Sequence, residues 1–292
     1  MKILVIGGTG FIGPYVLREL QQTGHEVTVF HRGLHESKLA SDMRHIHSAA
    51  ANIPVVAFPD DVLSESFDVV IHMIAMGERD TRAAVRAFAG RSRRLVILSS
   101  GDVYLAYGRF MKTEPGKIEP GLLTEESPLR TLHFPYRSQA QSTNDLNYFY
   151  EKILSEREIS GGGEIESTIL RLPKVYGPGQ NANLATVYGF RNAPEWRWTH
   201  GYVENVASAV VLTALHQAAA NRIYNVGELY TPTVSERLKT LPAPPADIPP
   251  ADPEAYDLRQ NIAFDTGRIR QELGYEEAVS YEESLRRTLE SK

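Results

Sequence analysis

Residues 3–13 read Ile-Leu-Val-Ile-Gly-Gly-Thr-Gly-Phe-Ile-Gly, and this stretch decides the fold class of the 292-residue chain. Its four consecutive apolar residues predict a short strand buried on both faces of a parallel sheet. The glycines predict a tight turn, and apolar residues between Tyr15 and Leu20 then follow at helical spacing. Val27 to Phe30 predicts a second strand, because β-branched residues favour strands. The first thirty residues therefore predict a strand–helix–strand unit.

The rest of the chain repeats this alternation. Apolar runs of strand length recur at residues 69–71, 95–98 and 168–170, and helical patterns separate several of them, at Thr81 to Ala89 and Asp145 to Ile159. Strands that alternate with helices predict an α/β fold with a doubly wound parallel sheet.

Two proline-containing segments break this rhythm. Residues 105–140 are expected to form an ordered excursion over the carboxyl edge of the sheet, where α/β proteins place their sites. Residues 241–253 hold six prolines and are expected to be extended. Asp265 to Leu273 and Tyr281 to Leu289 predict two terminal helices.

Composition narrows the function classes. The chain is 42% hydrophobic and 23% charged, with 31 basic and 36 acidic residues, so its formal charge of −5 offers no general attraction to nucleic acid. It has no cysteine, which excludes disulfides, thiolate catalysis and cysteine-ligated metals. The apolar start is too short for a signal-peptide core. Polar residues interrupt the longest later apolar stretch, Val206 to Ala220, so it is not expected to span a bilayer. We expect a soluble, cytoplasmic protein with no membrane or nucleic-acid partner.

The glycine turn suggests a ligand. A turn between a strand and a helix lets backbone N–H groups approach a pyrophosphate, and the helix N-terminus favours its negative charge. Side chains at Gly7 or Gly10 would obstruct that approach, and Gly13 allows close packing of helix and strand. The alternative is a tight turn without a ligand, but the complete strand–helix–strand unit favours dinucleotide binding.

Five later motifs extend this interpretation. They are Ser99-Ser100-Gly101-Asp102-Val103-Tyr104, Tyr148-Phe149-Tyr150-Glu151-Lys152, Leu170 to Gly179, Gly201 to Ala207 and Ile223 to Gly227. Together with the glycine turn, they resemble the NAD(P)-dependent epimerase/dehydratase family, the extended short-chain dehydrogenases/reductases, from residue 1 to about residue 227. The resemblance implies a Rossmann-like fold with a dinucleotide-binding domain at residues 1–175 and 201–226. A smaller substrate-binding region would comprise residues 176–200 and 227–292.

The resemblance implies a catalytic set of Ser100, Tyr148 and Lys152. Tyr148 would be the acid/base, Lys152 would favour its phenolate and hold the ribose, and Ser100 would bind the reacting oxygen. Four residues apart on one helix, Tyr148 and Lys152 are expected to share a face, with Tyr150 pointing away. The alternative is that Tyr148 belongs to an apolar helix face. Tyr136, in Phe134-Pro135-Tyr136-Arg137, also resembles the family's Pro-Tyr start. Position 140, four residues later, is Ala rather than Lys, so Tyr148 is preferred.

The expected cofactor is NADP or NAD, with NADP favoured. An NAD site carries an acidic residue at the end of the second strand, whereas this chain has His31 and Arg32 there and no acid between Val27 and His35. The Arg32 guanidinium could pair with the 2′-phosphate that distinguishes NADP from NAD. The alternative is that Arg32 is a surface arginine without a ligand. The full set of expected cofactor contacts is Gly7, Gly10, Phe11, Ile12, Gly13, His31, Arg32, Ala75, Lys152, Leu172 and Val175.

Fewer residues are expected to contact the substrate than the cofactor. Family dehydratases carry an acidic pair after the serine or threonine, whereas this chain has Gly101 and Asp102, which places epimerase or reductase chemistry above dehydration. Asp102 is a candidate substrate contact or a turn residue. Arg191 and Arg197 fall where relatives hold nucleotide-sugar phosphates, or belong to a packed loop. We expect no metal site, because no carboxylate–histidine spacing surrounds His45 and His47.

The leading hypothesis is an NAD(P)-dependent oxidoreductase or epimerase that acts on a sugar nucleotide or another hydroxyl-bearing small molecule. One alternative is an NADP-dependent reductase of a small carbonyl compound. The other is a non-catalytic nucleotide- or RNA-binding protein on the same fold, since fold does not determine function. The helical segments 81–89 and 145–159 resemble those of the family's dimer interface, so we expect a homodimer.

Overall fold

A seven-stranded parallel sheet organises the computed structural model, which describes residues 1–34, 43–161, 163, 165–182 and 184–290. The strand order is β3-β2-β1-β4-β5-β6-β9, and all six pairings are parallel. This confirms the α/β, Rossmann-like fold class. The strands are β1 (Lys2–Ile6), β2 (Glu26–His31), β3 (Arg44–His47), β4 (Phe67–His72), β5 (Ser92–Ser100), β6 (Glu166–Leu172) and β9 (Arg222–Asn225).

Helices cover both faces of this sheet, because each face is apolar. One face packs against α1 (Gly13–Gln22) and α8 (Val203–Leu215), and the other packs against α3 (Glu78–Phe88) and α6 (Lys152–Gly161). The remaining helices are α2 (Asp60–Leu63), α4 (Leu105–Phe110), α5 (Leu146–Phe149), α7 (Ala185–Gly189), α9 (Val234–Leu238), α10 (Gly267–Leu273) and α11 (Tyr281–Glu290). None of the helices in the described ranges is long and apolar enough to cross a membrane.

The helix expected from Thr81 begins three residues earlier, at Glu78. The Asp80 carboxylate accepts hydrogen bonds from the backbone N–H groups of Met76 and Gly77, at 2.6 and 2.9 Å, and so satisfies donors at the helix start. The structure also contains β3, a four-residue strand that the apolar pattern does not reveal.

A smaller sheet of two strands, β7 (Lys174–Tyr176) and β8 (His200–Tyr202), lies beyond the carboxyl end of β6. A separate apolar cluster includes Val103, Phe110 and Phe264, and therefore joins the excursion at 105–140 to the C-terminal part of the chain. Residues 241–252 contain neither helix nor strand, as their prolines predict. The division into two domains at the boundaries given above stays a prediction.

Candidate active site

The glycine turn follows β1 directly and is fixed by the backbone. The Gly7 N–H donates to the Phe30 carbonyl at 2.9 Å, and Gly7 and Gly8 have φ angles of +90° and +82°, which side chains disfavour. A Cβ atom at Gly13 would lie 2.2 Å from the Gly8 carbonyl oxygen, so only glycine allows α1 to start here. At Gly10 the corresponding space is open. The turn is therefore open beside Gly10 at the N-terminus of α1, which fits a pyrophosphate.

The other expected cofactor residues occupy different environments. Arg32 is exposed just beyond β2, and it makes no side-chain hydrogen bond or ion pair with the part of the chain that the structure describes. Ala75 is fully buried, and Leu172 lies beside the Ser100 region. Phe11 and Ile12 are half-buried against the core, and Val175 is buried within it.

Three histidines meet where β2 and β3 end. Parallel pairing places His31 opposite His47, and His31 Nε2 lies 2.8 Å from Nδ1 of His45. Nitrogens of all three lie within 4.8 Å of one another, a spacing that a metal ion could bridge. The sequence pattern did not reveal this cluster, because His31 is remote from the other two along the chain. Nδ1 of His31 also accepts from the Gly33 N–H at 3.3 Å, so a metal would replace existing contacts.

The structure corrects the expected helix from Asp145 to Ile159. α5 ends at Phe149 and α6 begins at Lys152, because Tyr150 adopts an extended conformation with ψ of 116°. The Glu151 N–H donates to the Met76 carbonyl at 2.9 Å, and its carboxylate accepts from the Ile153 N–H at 3.0 Å. These contacts stabilise the break and start a new helix.

Because of this break, Tyr148 and Tyr150 do not lie where one continuous helix would place them. The prediction that Tyr148 shares a face with Lys152 is wrong, because the two residues are on different helices. The Tyr148 ring is 37% exposed, lines a separate surface cavity and lies over the Arg137 guanidinium at 4.8 Å. The structure does not bring Tyr148 to Ser100. Tyr150, which was expected to point away, lies there instead.

A cavity of about 320 Å³, which we call the central cavity, opens at the carboxyl end of β5. Ser100 is the last residue of that strand, and its Oγ accepts from the Asp102 N–H at 3.3 Å. The cavity is lined by Ser100, Gly101, Asp102, Tyr107, Tyr136, Leu146, Asn147, Tyr150, Leu172, Pro173, Lys174, Trp198 and Ile262.

The Asp102 carboxylate joins the two tyrosines of this cavity. Its Oδ2 accepts hydrogen bonds from the hydroxyls of Tyr136 and Tyr150, each at 2.9 Å, and the Tyr107 hydroxyl lies 3.1 Å from the Tyr136 oxygen. Burial raises the pKa of Asp102, while Arg130 and the two phenols act in the opposite direction. Burial and the neighbouring Asp102 charge raise the pKa of Tyr150 well above 10, so its proton stays on the phenol at neutral pH.

Lys152 lies behind this network. Its Nζ donates to the carbonyls of Ala75, at 2.5 Å, and Leu98, at 2.8 Å, and so links the chain after β4 to β5. Burial lowers the pKa of Lys152 to about 8, while Asp80 and Asp102 raise it. The ammonium is 5.6 Å from the centre of the Tyr150 ring.

The arginines expected at substrate phosphates point elsewhere. Arg191 donates to the carbonyls of Tyr188 and Ile248, at 2.6 and 3.1 Å. Arg197 donates to the Thr231 carbonyl at 2.6 Å and to the Tyr230 hydroxyl at 3.1 Å. Neither arginine lines the central cavity. The basic side chain that does so is Lys174, which lies within the Leu170 to Gly179 motif but was given no role there.

Comparison with known proteins identifies the family. A family model described as the NAD dependent epimerase/dehydratase family matches residues 3–227. The chain belongs to this family. Among curated relatives, a dTDP-glucose 4,6-dehydratase from Streptomyces niveus is 25% identical, over 99% of this chain and 92% of the relative. A decarboxylating sterol-4-alpha-carboxylate 3-dehydrogenase from Dictyostelium discoideum is 24% identical, over 68% of this chain and 61% of the relative.

Solved structures share the epimerase/dehydratase fold. A UDP-glucose 4-epimerase from Thermotoga maritima, determined with UDP-glucose, has a TM-score of 0.70 at 20% identity and covers 100% of this chain and 98% of its own. A UDP-glucose 4-epimerase from Thermus thermophilus, determined with NAD, has a TM-score of 0.69 at 19% identity with the same coverage. At these identities the two structures support the fold. Family membership makes the chain an enzyme of the extended short-chain dehydrogenase/reductase type, with its subtype open.

Sequence reasoning found Ser100, Asp102 and Lys152 but missed Tyr150, Tyr136 and Lys174. A Tyr-x-x-x-Lys spacing selects Tyr148 only if the helix is continuous. The acidic residue between Tyr150 and Lys152 was the available signal for a break, because Asp and Glu stabilise the start of a helix.

Proposed function

We propose that this family member transfers hydride between a nicotinamide dinucleotide and a hydroxyl- or carbonyl-bearing small molecule bound in the central cavity. The observation that carries the proposal is the pair of hydroxyls, from Ser100 and Tyr150, at the same sheet edge as the glycine turn. Only β4 separates β1 from β5, so the turn and Ser100 lie about 10 Å apart across that edge. A dinucleotide can bridge this distance.

The residues fit the cofactor. The space beside Gly10 is open at the start of α1, which leaves room for a pyrophosphate, and Gly13 lets the helix begin close to the turn. Arg32 supplies an exposed cation at the end of β2, which supports NADP over NAD. When bound, the cofactor supplies a nicotinamide ring that gives or accepts hydride.

Tyr150 is the group that we propose to move the proton. A phenol carries its proton at neutral pH, because tyrosine ordinarily has a pKa near 10, so Tyr150 can protonate the oxygen of a carbonyl as that carbonyl is reduced. Ser100 donates to the same oxygen and orients it. Tyr136 continues to donate to Asp102 when the Tyr150 proton turns to the substrate, so the carboxylate keeps a partner. Lys152 acts as a positioning residue that fixes the end of β5.

The space around Gly101 favours hydride transfer without dehydration. A Cβ at this position would lie 2.2 Å from Cζ of Phe264, so an acidic side chain beside Asp102 would require Phe264 to move. Asp102 would then lack the second carboxylate for an acid–base elimination. Epimerisation and simple carbonyl reduction both remain compatible with the site. The internal contacts of Arg191 and Arg197 favour reduction of a smaller molecule over a sugar nucleotide.

The two tyrosines provide the test. The NADPH-loaded protein would be mixed with dTDP-4-keto-glucose and with small aldehydes and ketones, and the NADP-loaded protein with UDP-glucose. Loss of nicotinamide absorbance in the first case, or its gain in the second, would be followed in single turnovers. We expect Tyr150→Phe to lower the rate by about 10² to 10⁴, because the proton donor is lost. Tyr148→Phe should react like the unmodified protein.

Two results would contradict this assignment. An inactive Tyr148→Phe variant beside an active Tyr150→Phe variant would restore the position indicated by the Tyr-x-x-x-Lys spacing. Absence of nicotinamide oxidation with every compound would argue against carbonyl reduction in this cavity.

Cofactor choice is tested separately by titrating the protein with NADP and NAD. NADP should bind more tightly, and Arg32→Glu should weaken NADP by about tenfold or more while changing NAD little. Arg157→Glu, a charge reversal at another exposed position, is the matched control. Tighter binding of NAD by the unmodified protein would show that the preference is the opposite.

A further inference from the structure

The central cavity is lined by two groups of residues from different elements, which we call its two walls. Ser100, Asp102 and Tyr150 come from the end of β5 and the chain before α6, and Lys174 and Trp198 come from β7 and the chain entering β8. We propose that the substrate carries a carboxylate, and that Lys174 recognises it. This inference rests on the proposed function in one respect: the central cavity is taken to be the substrate site.

Lys174 is a half-buried cation whose donors are unused. An ammonium has three N–H donors, yet its Nζ makes no hydrogen bond or ion pair with the residues that the structure describes. Its charged contact is with the face of the Trp198 ring, whose centre lies 5.9 Å away. Burial alone lowers the pKa of Lys174, because no carboxylate among the described residues lies close enough to raise it. An anionic ligand would supply the missing partner.

The backbone of Lys174 is fixed by strand pairing. Lys174 begins β7, and its N–H donates to the Thr199 carbonyl at 3.0 Å, which pairs β7 with the chain entering β8. Trp198 packs edge-on against Tyr107 and Phe110, so the ring beside the ammonium is also held by its neighbours. The lysine therefore extends into the cavity from an ordered strand and beside a packed ring.

Other nearby cations are already paired. Arg130 donates to the Leu132 carbonyl at 2.5 Å and contacts the Glu151 carboxylate at 3.4 Å. Lys152 donates to two backbone carbonyls. Among the described residues that line the central cavity, Lys174 is the basic one. A single basic side chain thus lines the same cavity as the proposed proton donor.

One ammonium suits a carboxylate better than a phosphate. Phosphate sites usually combine arginine with several N–H donors, and the arginines of this region point into the protein. The cavity volume of about 320 Å³ is at the lower end for ligand sites. The substrate class that fits is a small hydroxy acid, its keto-acid counterpart or a sugar acid.

Binding to the cofactor-free protein tests the idea without any turnover. The probes are glycerate and glucuronate, their neutral counterparts glycerol and glucose, and glucose 6-phosphate, all at constant ionic strength. Tryptophan fluorescence, to which Trp198 contributes together with Trp196, reports occupancy, and a shift in melting temperature provides a second readout. We expect saturable binding of at least one acid, tighter by about tenfold than its neutral counterpart.

Variants connect this preference to one residue. Lys174→Met should remove the preference for the acid, and Lys174→Arg should retain most of it. Lys117→Met, at an exposed lysine outside the cavity, should leave binding unchanged.

The proposal is overturned if no acid binds at millimolar concentration, or if acid and neutral probes bind equally. It is also overturned if the preference survives in Lys174→Met, or if glucose 6-phosphate binds about tenfold more tightly than both acids. Because hydride transfer does not enter this measurement, its failure and a failure of the Tyr150 test are distinguishable.

Discussion

The two walls of the central cavity differ in how their polar groups are satisfied. On the wall formed by β5 and the start of α6, Asp102 accepts two phenol hydrogen bonds and Lys152, behind it, donates to two carbonyls. On the wall formed by β7 and the approach to β8, Lys174 has an aromatic ring beside it and, among the described residues, no polar partner. Side chains with hydrogen-bond partners hold their neighbours in position, whereas the Lys174 ammonium still has N–H donors that a ligand can use. The first wall should therefore govern stability and chemistry, and the second should govern affinity.

Replacing the two lysines gives the largest expected contrast. Lys152→Met leaves the carbonyls of Ala75 and Leu98 without their buried donor, so the free energy of unfolding should fall by about 2–4 kcal/mol. The matched variant Lys174→Met removes no hydrogen bond within the described ranges and should change it by less than about 0.5 kcal/mol. Urea denaturation measures both. Equal losses would show that the two walls do not differ in this way.

The close contact between Gly101 and Phe264, beside Asp102, should have a smaller effect on the free energy of unfolding. Gly101→Ala would force Phe264 to move, because the new Cβ would lie 2.2 Å from its ring, and should cost about 1–3 kcal/mol of stability. Gly121→Ala, where the added Cβ meets nothing within 4 Å, is the matched control. A second change, Phe264→Leu, should recover part of the loss. If Gly101→Ala and Gly121→Ala had the same free energy of unfolding, Phe264 would move more easily than its packing indicates.

A pH dependence is the smallest of the three expected effects. The pKa of Lys152 is about 8 in the folded protein and about 10.5 in the unfolded chain, so between these values the unfolded state binds the additional proton. Stability due to this group should therefore rise with pH across that window and stay constant below it. Relative to Lys152→Met, the unmodified protein should gain roughly 1–2 kcal/mol between pH 8 and pH 10. A constant difference between the two proteins would contradict the shift.

The sequence predicts the fold well because the decisive signals are local. The turn at Gly7 and the apolar runs of β1 and β5 specify strand, turn and helix without knowledge of distant residues. Ser100 and Asp102 follow β5 directly, so their place at the carboxyl edge of the sheet is fixed by the strand itself.

The rest of the site depends on contacts between distant segments. The break at Tyr150 requires the Met76 carbonyl, and helical spacing contains no information about that contact. His31 meets His45 and His47 only because β2 and β3 pair in parallel. Lys174 is an ordinary lysine in the sequence, and it becomes a candidate only when the cavity beside it is known.

Glu151 connects the excursion at 105–140 to the start of α6, which has a consequence for local unfolding. Its fully buried carboxylate contacts Arg130 and accepts from the N–H groups of Phe134 and Ile153. Detaching the excursion alone would leave this buried charge with fewer donors, which is costly. The excursion and the first turn of α6 should therefore open as one cooperative unit. Amide hydrogen exchange at Phe134 and Ile153 would then report the same opening free energy.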